Sequence, residues 1–286
     1  MERVVNQTLE TDQTYPYYIF ISDIHGNLET LKLIEQAQRD YPEAQLVAGG
    51  DYVDGRLYVK EVLEFLMKQK GIILRGNHEQ MLINYAEKRE HQSGIWFFNG
   101  GDKTLLQLFG KKARPEEVTA SDYYRFLAAC PIMYETPGFI FVHAGVRPDE
   151  HYNDPQTYAA ELDVHNHQYD YDFYRIWARE PYWYSDGTKK IFAHNLTGKT
   201  IVTGHTPTSY LVGSYDDGSK FLPSKTNPVV TIKYPNEPAR IFTDGGSHSD
   251  PIRHPHYDGN VVVLSDSGKV VKVYNYQNTL KGHLYD

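Results

Sequence analysis

Tyr17-Tyr18-Ile19-Phe20-Ile21-Ser22-Asp23-Ile24-His25-Gly26 decides how this chain is read. Five aromatic or β-branched residues stop abruptly at a polar run holding two metal-loving side chains and a glycine. A near-continuous apolar run of this length predicts a buried strand. Side chains two apart share a face in an extended chain, so Asp23 and His25 are expected on the same side of the strand end. Open α/β sheets place their sites just past such strand ends.

The pattern recurs five more times. Residues 45–48 run into Gly49-Gly50-Asp51, 71–74 into Arg75-Gly76-Asn77-His78, and 139–142 into His143-Ala144-Gly145. Residues 200–203 run into Gly204-His205, and 240–243 into Asp244-Gly245-Gly246. Between the strands, 27–40 carries Leu28, Leu31, Ile34 and Ala37 at helical spacing, and 57–70 carries Val62, Leu63, Phe65 and Leu66 on one side. Further helices are predicted over 79–88, 121–129 and 155–162, the last with Asp154 as N-cap and Pro155 in its first turn. Residues 258–276 predict a β-hairpin turning at Asp266-Ser267-Gly268. Because the polar strand ends span Asp23 to Asp244, a site they share draws on nearly the whole chain, and 1–286 reads as one domain.

Composition narrows the function. At 286 residues, 40% hydrophobic and 23% charged, the chain suits a globular protein with its own core. Lys+Arg 29 against Asp+Glu 37 gives a net charge of −8, so neither nucleic acid nor an anionic membrane is expected as a partner. The single cysteine, Cys130, excludes an internal disulfide and a cysteine-built metal site, and reads as a small buried hydrophobe. No apolar segment approaches the ~20 residues that span a bilayer, and the polar start lacks a signal-peptide core. A cytoplasmic location is therefore expected. Nothing in the sequence reports on oligomeric state.

Asp23, His25, Asp51, Asn77, His143 and His205 are six oxygen and nitrogen donors with glycines close by that let backbone approach. Singly, each has a plainer reading as a capped or hydrogen-bonded turn. Together, so many polar groups at one sheet edge are costly without cations. Two such sets sharing one carboxylate suit a pair of divalent ions, manganese first, with iron and zinc also fitting.

Asp23-Ile24-His25-Gly26, Gly50-Asp51-Tyr52-Val53-Asp54, Gly76-Asn77-His78-Glu79, His143-Ala144-Gly145 and Gly204-His205-Thr206 together resemble, in order and spacing, the signature of the calcineurin-like metallophosphoesterases. The resemblance is strongest to the phosphoprotein phosphatase branch, which includes bacterial Ser/Thr phosphatases and symmetrical dinucleoside tetraphosphatases. It covers about residues 17–246, with smaller agreements at Asn99-Gly100-Gly101, Trp177-Ala178-Arg179-Glu180 and Thr206-Pro207-Thr208. It implies a four-layer αββα sandwich of two mixed sheets and a metal-dependent phosphatase. It also implies that Asp23, His25 and Asp51 hold one ion, and that Asp51, Asn77, His143 and His205 hold a second, with Asp51 bridging. A metal-bridging hydroxide would attack, and His78 paired with Asp54 would protonate the leaving group. The expected substrate is a phosphoprotein or small phosphoester. Dinucleoside tetraphosphate hydrolysis is the alternative, and a catalytically dead scaffold the third reading.

One departure matters. The family pattern runs Gly-Asp-x-Val-Asp-Arg-Gly, whereas here Gly55 precedes Arg56. Arg56 is still expected to contact phosphate, with Arg179 as the second candidate and Arg75 behind them. The segment 209–238 matches no pattern and is expected to shape the substrate entrance. Its Lys220, Lys225 and Lys233 balance Asp216, Asp217 and Glu237, which gives no cationic funnel for a tetraphosphate. The stretches Ser247-His248-Ser249-Asp250 and His254-Pro255-His256 read as a solvated loop, and His165 and His167 as surface residues.

Overall fold

The protein is represented by a computed structural model that describes residues 3–5, 7–89, 93–152, 171–222, 226–249, 253–254 and 258–276. One sheet holds, in spatial order, β1 (Arg3–Val5), β2 (Thr8–Glu10), β6 (Met133–Glu135), β7 (Phe139–Val142), β10 (Thr200–Thr203), β14 (Arg240–Phe242) and β13 (Val230–Ile232). The second holds β16 (Val270–Tyr274), β15 (Val261–Ser265), β3 (Tyr17–Ile21), β4 (Gln45–Ala48) and β5 (Ile72–Ile73). Both are mixed.

Strand alternation builds the layers. Tyr18 and Phe20 of β3 share a core with Phe139 and Phe141 of β7, Val202 of β10, Ile241 of β14 and Val262 of β15. That core lies between the two sheets, as in face-to-face sheet packing. The alternate residues Ile19 and Ile21 face a helical layer instead, with Leu33 and Ile34 of α1 (Leu28–Asp40) and Val62 and Leu63 of α2 (Val59–Leu66). On the far side, Ile140, Val142 and Ile201 pack against α8 (Tyr171–Trp177), α9 (Glu180–Trp183) and a third sheet. Runs buried on both faces thus explain the absence of hydrophobic alternation in the strands.

The third sheet goes beyond the two expected. It orders β12 (Lys220–Phe221), β11 (Gly213–Ser214), β9 (Ile191–Phe192) and β8 (Tyr184–Asp186), and takes two short strands, β11 and β12, from the segment that matched no pattern. Strands of two or three residues are too short to show a period. Asn27 caps α1, its side chain accepting from Glu29 N at 3.1 Å. Helix α2 is shorter than 57–70. Lys68 N and Gln69 N bond only three residues back, winding its end into a turn. Helix α3 (Asn77–Ala86) starts earlier than 79–88 because Glu79 closes a capping interaction on Gly76 N at 2.9 Å. Helices α4 (Ser93–Phe98), α5 (Gly101–Phe109), α6 (Pro115–Thr119) and α7 (Asp122–Ala129) follow, and Ser121, the first residue of the expected 121–129, is the N-cap of α7. The C-terminal hairpin forms as β15 and β16. The helix expected over 155–162, His165, His167, Asp250 and His256 lie outside the described residues. Among the described residues, no helix is long and apolar enough to cross a membrane.

Parallel pairing sets the site. In one sheet β3, β4 and β5 run parallel, and in the other β7, β10 and β14 do. All six polar strand ends found in the sequence therefore leave from C-terminal strand ends.

Candidate active site

The two sheets are stitched together at that edge. His143 Nδ1 donates to the Gly49 carbonyl at 2.9 Å, and His205 N donates to Asp23 Oδ2 at 2.8 Å. Loop 50–53 is held by Glu79, whose Oε2 accepts from Asp51 N (2.8 Å) and Gly76 N (2.9 Å), and whose Oε1 accepts from Tyr52 N (2.7 Å) and Val53 N (3.2 Å). A carboxylate with four backbone donors is a rigid clamp. Sequence reading gave Glu79 no role, although its place three residues after Gly76 is a capping signal. Gly50 sits at φ +99, and a Cβ there would meet His143 Nδ1 at 2.9 Å.

Asp23, His25, Asp51, Asp54 and His205 are non-glycine residues with positive φ, between 49 and 67°. The expectation that extended geometry aligns Asp23 with His25 is therefore corrected. Both sit in the left-handed region, and they converge because Asp23 N, His25 N and Gly26 N bond Gly50 O, Asp51 O and Tyr52 O. Backbone held in this region costs of order 1–3 kcal/mol per residue and persists only when its surroundings enforce it.

The six expected donors meet. Asp51 Oδ2 lies 3.6 Å from His25 Nε2, 3.8 Å from His78 Nε2 and 3.3 Å from His143 Nε2. His143 Nε2 is 3.0 Å from Asn77 Oδ1 and 3.2 Å from His205 Nδ1. Asp23, His25 and Asp51 form one potential ligand set, and Asp51, His143 and His205 another, with Asp51 common to both. The donor chemistry fits divalent cations. His25 Nδ1 donates to Val53 O at 2.9 Å and His143 Nδ1 to Gly49 O, which turns each Nε2 inward. Ring nitrogens and carboxylate oxygens, the usual ligands of such ions, then face one another. His205 Nε2 is buried with no hydrogen-bond partner among the described residues.

Electrostatics follow the same geometry. Burial, then neighbouring imidazoles, hold His25 and His205 well below the ordinary histidine range. Burial opposes charge on His143 too, but the Asp51 carboxylate overrides it and raises the group to about 9. Asp51 itself is held well below the usual carboxylate range, against burial, by His143 and His78.

His78 Nδ1 is 2.7 Å from Asp54 Oδ2. Asp54 in turn accepts from Thr104 Oγ1 at 2.5 Å and from Trp96 Nε1 at 3.0 Å, contacts that sequence reading missed. Burial works against a charge on His78, yet Asp51 and Asp54 outweigh it and raise it to about 9. His78 Nε2 is left turned toward Asp51.

Of the arginines, Arg56 Nε donates to Ser247 O at 3.0 Å with Asp258 as its charge neighbour. Arg179 Nη1 donates to Thr206 Oγ1 at 2.6 Å, and its charge acts on His205. Arg75 is buried and turned to Gln7, its N–H on Pro131 O at 2.8 Å. The reading of 247–250 as a solvated loop is corrected for Ser247, which is fully buried. His248 is exposed, and its ring packs on His25 with centroids 4.6 Å apart.

The calcineurin-like phosphoesterase family matches residues 17–243. The chain is 25% identical to Shewanella-like protein phosphatase 1 of Plasmodium berghei over 249 residues, covering 71% of this chain and 65% of that one. It is 34% identical to Serine/threonine-protein phosphatase 1 of Salmonella typhimurium over 83 residues, 29% of this chain and 38% of that one. It thus spans less than two thirds of either curated relative. The crystal structure of a cold-active protein-tyrosine phosphatase from a psychrophilic Shewanella superposes with a TM-score of 0.54 at 17% identity, over 93% of this chain and 79% of that chain.

Proposed function

This chain belongs to the calcineurin-like phosphoesterase family, and we propose that it is a metal-dependent phosphomonoesterase acting on phosphoserine or phosphothreonine in protein. One observation carries the reading. Asp51 Oδ2 lies among the inward Nε2 atoms of His25, His143 and His78, so the potential ligand set and a carboxylate-held proton donor share one oxygen. Asp23, His25 and Asp51 would hold one divalent ion, and Asp51, Asn77, His143 and His205 a second. When bound, such ions neutralise phosphoryl charge and make water acidic enough to attack.

The chain's own residues do the rest. Asp54 fixes the His78 tautomer through Nδ1 and favours its protonated form, so Nε2 carries the proton that a departing alkoxide needs. Thr104 and Trp96 fix Asp54 and keep that pair aligned. Arg179, exposed beside His205, supplies a guanidinium for the phosphoryl oxygens, which it matches bidentately. Two relatives named as protein phosphatases support a protein substrate, as does the balanced charge of 209–238, which offers no cationic seat for a tetraphosphate.

The test is elemental analysis alongside kcat/KM for a phosphopeptide, an aryl phosphate and diadenosine tetraphosphate. Bound transition metal with hydrolysis of the first two is the expected result. Activity that survives exhaustive chelation refutes the metal dependence. A preference of a hundredfold or so for the dinucleotide, about 2.7 kcal/mol, refutes the substrate class.

A further inference from the structure

The loop after β14 carries a histidine that the mechanism above leaves unused. The His248 ring meets His25 with centroids 4.6 Å apart and His78 at 5.2 Å, and the His25 and His78 rings lie 4.7 Å apart. One nitrogen of each comes within 4.8 Å of the other two, so three imidazoles form a triangle of potential ligand atoms. Backbone contacts place the third corner. Gly246 N donates to Asp244 Oδ1 at 2.7 Å, Ser249 N to Gly246 O at 3.0 Å, and Arg56 Nε to Ser247 O at 3.0 Å. His25 and His78 are buried, whereas His248 is exposed and gives the triangle its opening to solvent.

Hydrogen bonds decide which nitrogens the buried pair can offer. His25 Nδ1 is committed to Val53 O at 2.9 Å and His78 Nδ1 to Asp54 Oδ2 at 2.7 Å, which leaves Nε2 of each. Both Nε2 atoms also face one oxygen, Asp51 Oδ2, at 3.6 and 3.8 Å. Three imidazoles with a carboxylate oxygen at hand suit zinc, which takes four ligands and binds histidine nitrogen at about 2.0–2.1 Å. Manganese favours oxygen donors and binds a given site more weakly than zinc. Asp23, His25 and Asp51 are mostly oxygen and suit manganese, whereas the triangle is all nitrogen and selects zinc.

We propose that His25, His78 and His248 form an inhibitory zinc site that overlaps the first ligand set at His25. His25 Nε2 serves one ion at a time, so an ion in the triangle excludes one held by Asp23, His25 and Asp51. Zinc there also takes the place of the proton on His78 Nε2, and the leaving group then lacks its acid. The inhibition rests on the reading that these residues hydrolyse a phosphoester, whereas the binding of zinc does not.

The first experiment follows hydrolysis of a phosphoserine peptide by the manganese-loaded protein as zinc is added, in wild type, His248→Ala and His248→Gln. Each rate is referred to the same variant without zinc. Losing a partner behind a metal ligand weakens binding roughly 10–100-fold, and loss of the ligand itself should cost at least as much. The zinc concentration for half inhibition is therefore expected to rise at least about tenfold in both variants. Extra manganese should relieve the inhibition of the wild type. The second experiment needs no turnover. Asp23→Asn weakens the competing set, and zinc retained after equilibrium dialysis is counted in Asp23→Asn and in Asp23→Asn/His248→Ala. The double variant should retain one zinc fewer per chain. Equal half-inhibition concentrations in wild type and both His248 variants overturn the inhibitory role and leave the phosphomonoesterase reading standing. Equal zinc counts overturn the site itself. A manganese-loaded wild type inactive on both the peptide and para-nitrophenyl phosphate overturns that reading, and the zinc count then decides the site alone.

Discussion

His78 and His194 each hold a carboxylate within 2.7 Å of a ring nitrogen, and they differ in what becomes of the second ring nitrogen. His78 gives Nδ1 to Asp54 at 2.7 Å and keeps Nε2 turned into the site. His194 uses both, with Nδ1 2.5 Å from Glu237 and Nε2 2.6 Å from Asp216, and it stacks on Tyr234 at 3.8 Å. Both are drawn toward the charged form by their carboxylates, against burial. A raised pKa therefore does not distinguish a reactive histidine from a structural tie. An uncommitted nitrogen facing a cluster of buried donors does.

The contrast breaks first at Asp51, where the reactive side is most exposed to damage. Asp51→Asn removes the oxygen common to both ligand sets. It should cost at least as much as loss of a whole catalytic device, roughly 10³-fold or more in kcat, and should deplete bound metal in elemental analysis. Retained metal with full turnover would dismantle the shared-oxygen argument. His78→Asn should lower kcat by roughly 10²–10⁴-fold for an alkyl leaving group, and less for an acidic one, with metal content intact. A loss that ignores leaving-group acidity would remove His78 from the acid role. Asp54→Asn leaves the imidazole in place but weakens its orientation and charge, so a smaller loss is expected, about 10–100-fold, again graded by leaving group.

His194→Gln sharpens the other side, with the smallest effect. The site is more than a third exposed, so the tie is worth below about 1 kcal/mol after screening. Its sign is fixed by the raised folded pKa. The contribution is fully present below the unfolded value near 6.5 and is lost as pH rises through the higher folded one. Chemical denaturation of wild type and variant should thus differ most in mild acid and converge in alkali. A difference that grows with pH would contradict the charged tie, and a change in kcat would contradict its separation from the chemistry.

Much of the frame was legible because its signals are local. Tyr17–Ile21 shows its strand in five residues, and Leu31, Ile34 and Ala37 show α1 by their helical spacing. The six donors could be named from strand ends alone, since parallel strands bring their C-terminal ends to one edge. What escaped depends on distant partners. His248 reads as loop until Arg56, 191 positions earlier, grips Ser247. Thr104 reaches Asp54 across 50 positions, and Trp96 across 42. No periodicity encodes such pairs. The small third sheet was hidden for a different reason, because Ile191–Phe192 and Gly213–Ser214 are too brief to repeat anything.

The left-handed backbone at Asp23, His25, Asp51, Asp54 and His205 bears on how this chain responds to selection. Glycine occupies that region without penalty, and asparagine with little. A library screened only for resistance to heat would therefore be rewarded for replacing these five side chains, each exchange relaxing the main chain where it is most contorted. The catalytic edge would erode first while the strands beneath it stayed intact. A thermostabilised variant obtained without an activity screen should be sequenced at these five positions before any other.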